Sequence, residues 1–461
     1  MSVENALQYA QAHRADALNE LKELLRIPSI SAQPDHTADV RRAADWLAEH
    51  MRSIGLHGVQ VFPTEGHPIV YGEWLDAPGA PTVLVYGHYD VQPVDPVDLW
   101  QTPPFEPTER DGALLARGAA DDKGQVFIHL KAVEAYLKTD RKLPVNIKFV
   151  VEGEEEVSSV NLAPFVRAHT DRLRADVVLI SDTGWIAPGV PSLVYGLRGL
   201  TYMEVEVVGP RRDLHSGEFG GAVHNPIQVL CELLAQLKDD QGRILVEGFY
   251  DRVRPLSDEE RDELARIPFD EAQFRAEAGV PQTWGEQGYT VLEQLGARPT
   301  LELNGIVGGY IGLGAKTVIP SRALAKVSMR LVPDQDPLEV ADLVKRHVER
   351  LAPPTVQVEA RLLHSGHPAM IDRHSPAVQA AASAYEAAFG RRPVFIREGG
   401  SIPIVADFQQ VLGAPSVLMG FGLPDDNLHA PNEKFGLAQF YGGIETSIHF
   451  LSLYANTSLQ G

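Results

Sequence analysis

The sequence predicts an α/β protein: a mostly parallel sheet covered by helices, interrupted by an inserted α+β unit. Three observations lead there. Continuous apolar strands alternate with helical segments over roughly the first 200 residues. From about residue 199 the strands switch to apolar–polar alternation, the pattern of a half-exposed antiparallel sheet. From about residue 373 the continuous apolar texture returns. A chain of 461 residues is also too long for one ordinary core. The expected division is 1–198 for the first part of one domain, 199–372 for the inserted unit and 373–461 for the second part.

In chain order, a helix is expected over 4–26, then the loop "RIPSISAQPDHT" and the helical "ADVRRAADWLAEHMRSIG". "HGVQVFP", "IVYGEW" and "TVLVYGHYD" read as strands. "QVFIHLKAVEAYLKT" is helical, "VNIKFVVEG" a buried strand, "SVNLAPFVRAHTDRL" a helix and "DVVLISD" another buried strand. In the inserted unit, "LTYMEVEVVGP", "ALAKVSMRLVP" and "TVQVEARLL" alternate as strands. "NPIQVLCELLAQLKD" and "LEVADLVKRHVERLA" have helical spacing, with Cys231 expected on an apolar helix face. The stretch 240–300 is charged and irregular. "SPAVQAAASAYEAAFG", "PVFIRE", "PSVLMGFG" and "FGLAQFYGGIETSIHFLSLYAN" then complete the first domain. There is no internal repeat.

Composition narrows the function. With 62 acidic against 41 basic residues the formal charge is −21, which argues against nucleic acid and against an anionic membrane surface. A single cysteine allows neither an intramolecular disulfide nor a thiolate zinc site. The N-terminus lacks a signal-peptide apolar core, and no run approaches the ~20 apolar residues of a membrane span. The expected location is the cytoplasm.

The chemistry gathers where apolar strands end. "VLVYGHYD" delivers His88 and Asp90, placed on one face by the period of two. "KFVVEGEEEVSS" empties into Glu152, Glu154, Glu155 and Glu156, and "VVLISDTGW" into Asp182. "SVLMGFGLPDDNLHAPNE" leads to Asp425, Asp426, His429 and Glu433, and the loop "ARGAADDKGQ" holds Asp121 and Asp122. Singly, each has a structural reading: a hydrogen-bonded core histidine, a helix N-cap, a solvated acidic turn. Jointly, carboxylates converging on one sheet edge would repel and raise one another's pKa, and bound cations remove that cost. Imidazoles and carboxylates without cysteine suit zinc or a similar divalent ion.

In order along nearly the whole chain, "GHYDVQP", "RGAADDKGQ", "EGEEE", "SDTGW", "DLHSGEFGG", "REGGSIP" and "PDDNLHAPNE" resemble the di-metal exopeptidases. That family includes carnosine dipeptidases, aminoacylases, succinyl-diaminopimelate desuccinylases and glutamate carboxypeptidases. The details are most similar to the cytosolic non-specific dipeptidase and carnosinase branch. The resemblance implies a zinc-exopeptidase-type fold with an inserted lid and dimerisation domain. It implies two divalent ions per subunit, zinc first, with manganese or cobalt as alternatives. His88 and Asp182 would hold one ion, Glu156 and His429 the other, and Asp121 would bridge them through a segment whose next peptide bond is cis. Glu155 would be the general base, and Asp90 a carboxylate behind His88. From the inserted unit, His215 would reach the active site of a second subunit in a homodimer. Thr317 and Arg330 would meet the substrate carboxylate, with His364 at a hinge near the substrate. Glu398 and Ser401 would line the site. One departure is Ser158, where the family often has Gly.

The expected function is therefore metal-dependent hydrolysis of unblocked dipeptides. The alternative is an N-acyl amino acid deacylase or carboxypeptidase of the same family. A metal-binding scaffold without chemistry would need the loss of a catalytic carboxylate, yet Asp90 and Glu155 are both present.

Overall fold

A computed structural model describes residues 2–400 and 402–457. The chain divides into two compact units: 1–195, 371–396 and 404–461 in the first, and 196–370 with 397–403 in the second.

The sheet of the first unit runs in the order His57–Phe62, Ile69–Trp74, Asn146–Glu152, Thr82–His88, Val177–Ile180, Ser416–Leu418 and Ser192–Leu197. Its centre is parallel: Thr82–His88 pairs in parallel with both Asn146–Glu152 and Val177–Ile180, which in turn pairs in parallel with Ser416–Leu418. The flanks are antiparallel. The sheet is thus mixed, and parallel only where both faces are covered. The cover is visible at Gly87 and Tyr86, which face opposite ways. A Cβ on Gly87 would strike Val126 of helix Lys123–Thr139, whereas the Tyr86 ring meets Phe408 edge-on at 5.4 Å.

The helix expected over 4–26 is two helices, Val3–Ala12 and Arg14–Leu25, broken at His13. His13 leaves helical geometry, and its ring stacks on Tyr9 while its Nδ1 meets the Tyr9 carbonyl at 2.9 Å.

In the second unit a four-stranded antiparallel sheet runs in the order Thr300–Gly308, Arg322–Leu331, Gly199–Val208 and Gln357–Gly366. Met203, Val205, Val207, Ala325, Val327 and Met329 face one way and form a core with helices Pro226–Ala235 and Pro337–Leu351. Both helices start on an N-cap side chain, Asn225 or Asp336, followed by proline at the first helical position. Cys231 is exposed, on the side of its helix away from Val229, Leu230, Leu233 and Leu234. The expected apolar-face placement is corrected: the buried stripe bypasses position 231. The stretch 240–300 contains three short helices, Asp258–Ala265, Glu271–Ala278 and Val291–Gly296. Among the described residues no helix is long and apolar enough to cross a membrane.

His129 is buried in helix Lys123–Thr139, its Nδ1 3.0 Å from Ser447 Oγ and its Nε2 2.7 Å from Ser181 Oγ. Ser181 donates its hydroxyl to the Met419 carbonyl, so Nε2 is the protonated nitrogen and Nδ1 accepts. Burial pushes the His129 pKa down to about 3. The neutral ring therefore contributes stability fully above its ordinary pKa of about 6.5, and that contribution is lost as pH falls from there towards 3. The urea midpoint should fall as pH is lowered from 6.5 to 5, and fall less steeply in His129→Gln. Parallel profiles would refute this origin.

Candidate metal centre

Each strand that leads to the centre stops at the same edge of the sheet. His88 ends Thr82–His88 opposite Glu152, which ends the neighbouring parallel strand, and Asp182 lies two residues past Ile180. Such edges, at the carboxyl ends of parallel strands, are where open α/β sheets place their sites.

Asp121 stands at the middle. Its Oδ1 lies 3.0 Å from His88 Nε2 and its Oδ2 lies 2.9 Å from His429 Nε2. His429 Nε2 is in turn 3.3 Å from Glu156 Oε2. Ligand atoms of His88, Asp121 and Asp182 lie within 4.8 Å of one another, and so do those of Asp121, Glu156 and His429. The two groups share Asp121 and can each hold a cation. The donors are imidazole nitrogen and carboxylate oxygen, which suit zinc. A third group, Glu20, His50 and Glu134, has the Lys131 ammonium bonded to both of its carboxylates.

The electrostatics point the same way. Burial, then the negative charge of Asp121, pushes Asp182 up to about 7. Burial pushes Glu155 up to about 8, with Asp182 and Glu156 adding to the rise against His88. Burial also disfavours an ionised Asp121, but its bonds to His429 and His88 outweigh this and hold it below the usual carboxylate range. Buried acids crowded in this way are costly without positive charge, and divalent ions answer that cost.

Asp90 holds the acidic loop. Its Oδ1 accepts the Glu155 amide at 3.2 Å and its Oδ2 the Glu156 amide at 3.1 Å. Oδ1 is also 3.4 Å from His88 Nδ1, which meets the Asp90 carbonyl at 3.1 Å. One carboxylate thus ties His88 to the backbone of Glu155 and Glu156. The other acids of that run do different work. Glu152 accepts from the Tyr86 and Ser159 hydroxyls, and Glu154 from the His67 amide and Asn161. Ser158 closes the turn with φ 81, a left-handed conformation that glycine adopts at less cost. The serine departure therefore sits where a glycine would relieve strain. His429 is left-handed too, with φ 59, between Asn427 and Asn432, which are also left-handed.

Three residues outside the expected set complete the scaffold. Gln92 donates to Glu156 Oε2 at 2.7 Å, and continuing the alternation His88, Asp90, Gln92 could have found it. Asp122 accepts the His88 amide at 3.1 Å, and the Asp121–Asp122 peptide is cis. Glu433 is fully buried and accepts from the Arg117 guanidinium at 2.8 Å and from the amides of Gly118, Ala120 and Asp121 at 2.9, 3.0 and 3.1 Å. The loop leading to Asp121 is wrapped around this carboxylate. Gly124 completes the wrap, since a Cβ there would lie 2.0 Å from the Ala119 carbonyl oxygen.

The second unit carries the other expected residues. His215 and Thr317 are exposed neighbours: His215 pairs with Val318, and the Ser216 amide donates to the Thr317 carbonyl at 3.0 Å. Arg330 is half-buried near the end of Arg322–Leu331. His364 stacks on Tyr202 with ring centres 5.0 Å apart. Glu398 ends strand Val394–Glu398. Ser401 lies outside the described residues.

Residues 84–452 match the profile of peptidase family M20/M25/M40. The Cys-Gly metallodipeptidase DUG1 of Candida albicans is 35% identical over 95% of this chain and 94% of its own length. The Beta-Ala-His dipeptidase of Homo sapiens is 36% identical over 96% of this chain and 91% of its own. The solved M20 family metallo-carboxypeptidase Sso-CP2 from Sulfolobus solfataricus superposes with a TM-score of 0.85 at 34% identity, covering 95% of this chain and 99% of its own.

Replacing Glu433 by Gln leaves one acceptor for several donors and puts an amide NH2 against backbone N–H groups. Zinc affinity by calorimetry should weaken by about 10- to 100-fold, the usual cost of losing a group that orients a ligand. Wild-type affinity would mean that the Asp121 loop holds its shape without Glu433.

Proposed function

The chain belongs to peptidase family M20/M25/M40, and from that premise we propose that it is a metal-dependent dipeptidase that hydrolyses the peptide bond of unblocked dipeptides. One observation carries the reading: Asp121 shares its two oxygens between two imidazoles, each within a separate donor group. His88 and Asp182 would hold one divalent ion, Glu156 and His429 the other, with Asp121 between them. Zinc fits these donors, with manganese or cobalt as alternatives. Ions so held supply Lewis acidity and make water easier to deprotonate.

Glu155 is the general base: it takes the proton of the attacking water and passes it to the leaving amine nitrogen. Its backbone amide is held by Asp90, so the base and the His88 ligand are positioned by one carboxylate. We assign Thr317 and Arg330 to the substrate carboxylate, the latter through the bidentate fork of its guanidinium. His364, Glu398 and Ser401 would line the substrate. The segment 199–372 is read as a lid and dimerisation domain, with His215 supplied to a second subunit. The dimer reading is supported by exposed apolar residues on the edge strand Thr300–Gly308 and the loop after it. These include Ile306, Val307, Ile311 at 87% exposure and Leu313 at 99%. The expected location is the cytoplasm, with which a single cysteine is compatible.

A carboxypeptidase is the second reading, favoured by the likeness to the solved metallo-carboxypeptidase. Metal-stripped and metal-reloaded protein, assayed on free dipeptides, N-acetylated dipeptides, N-acyl amino acids and tripeptides, separates the two. Free dipeptides should be cleaved best and only after reloading. Equal or faster cleavage of N-blocked substrates would overturn the dipeptidase reading. Glu155→Gln should keep its metal content while kcat falls by about 10²- to 10⁴-fold; near-wild-type turnover would remove Glu155 from its role. Mixing inactive His215→Ala and Glu155→Gln subunits should restore part of the activity. Silence after verified subunit exchange would count against a shared site.

A further inference from the structure

The segment "RIPSIS" holds no acid and no histidine, yet within the first unit it reaches the segments that present the site residues. Helix Arg14–Leu25 stops short of Pro28, whose ring disfavours helical geometry at Ile27. The chain then runs along the end of strand Thr82–His88, where Ile30 forms a parallel bridge with Val91. Ser29 is fully buried. Its Oγ donates to the Tyr89 carbonyl at 2.6 Å, and its own carbonyl accepts the Val91 amide at 3.0 Å. One residue thus clamps the backbone on both sides of Asp90. The clamp is itself anchored. The Ile27 carbonyl accepts from the buried Lys123 ammonium at 2.8 Å, two residues past Asp121. The Ser31 carbonyl accepts from His67 Nε2 at 3.1 Å, and the His67 amide donates to Glu154 at 2.9 Å.

The clamp sits where the sheet gives out. The Tyr89 amide still donates to the Glu152 carbonyl at 2.9 Å, but the Tyr89 carbonyl and the Val91 amide turn to Ser29. Buried backbone groups that leave a ladder need such partners. Asp90, between them, is fully buried and accepts the amides of Glu155 and Glu156. Any rocking of its backbone moves the carboxylate and, with it, both glutamates.

We propose that Ser29 is a positioning residue: it fixes the Asp90 backbone, and through the Asp90 carboxylate it sets the general base Glu155 and the ligand Glu156. The proposal rests on the roles assigned to those two glutamates. The test compares Ser29→Ala with Tyr136→Phe, which removes another buried hydroxyl bonded to a carbonyl, that of Ile448 at 3.0 Å, from the same unit. In Ser29→Ala, hydrogen exchange at Val91 and at Glu155 and Glu156 should quicken together by about tenfold. Zinc affinity by calorimetry should weaken by about tenfold. On alanyl-alanine with saturating zinc, kcat should fall by about 10- to 100-fold with KM nearly kept. Tyr136→Phe should change none of the three. Ser29→Cys, whose thiol is a weak donor, should show the same changes at smaller size, and it carries the test if the alanine chain does not fold. Exchange that quickens at Val91 alone, or changes no larger than those of Tyr136→Phe, would overturn the proposal. Quickened exchange and weakened zinc binding in a protein that cleaves no dipeptide would support the clamp and count against the dipeptidase reading.

Discussion

One carboxylate, Asp121, faces two imidazoles, and the strand-end network of the first unit is arranged to keep it there. Its two oxygens point to His88 and His429, which come from a central strand and from a loop more than 300 residues later. Such a geometry needs support from every side, because a side chain among several other acids would otherwise turn away or take up a proton. Glu433 supplies the support from behind, through three backbone amides and a buried arginine. Asp90 supplies it across the site, through the amides of Glu155 and Glu156 and the ring of His88.

That division of labour separates acids that bind from acids that hold. Asp121, Glu156 and Asp182 present oxygens to shared donor groups. Glu152, Glu154, Asp122, Asp426 and Glu433 spend theirs on hydroxyls, amides or cationic side chains of the scaffold. The fold accommodates these buried carboxylates because at least one oxygen of each meets a donor, which lowers the cost of burying charge. The sheet edge supplies those donors where strands end and backbone amides leave the ladder.

The second unit follows a different rule. One face of its sheet is apolar and closed by two helices, and the other carries Tyr202, Glu204, Lys326, Ser328 and Arg330. Alternation in the strands decides which residues face which way. The irregular stretch 240–300 then supplies a wall over part of the polar face and turns an open sheet surface into a cavity.

Fold class was legible because apolar runs and period-two alternation are local properties of the chain. The candidate ligands were legible because acids and histidines sit directly after such runs. What stayed hidden has a common cause. The mixed strand directions at the sheet flanks depend on chain path, which composition does not record. The break at His13 depends on a ring stack and a carbonyl contact within one helical stretch. The exposure of Cys231 depends on the way its helix is rolled onto the sheet. Glu433 looked like one more loop acid until the fold brought it to Gly118, 315 residues away in sequence. The sequence by itself determined which residue types stand at the strand ends, because strand period and polarity are written in neighbouring positions. Only the tertiary structure decided which carboxylates converge and which hold the others in place. That depends on contacts between distant segments, and on the backbone amides each carboxylate meets there.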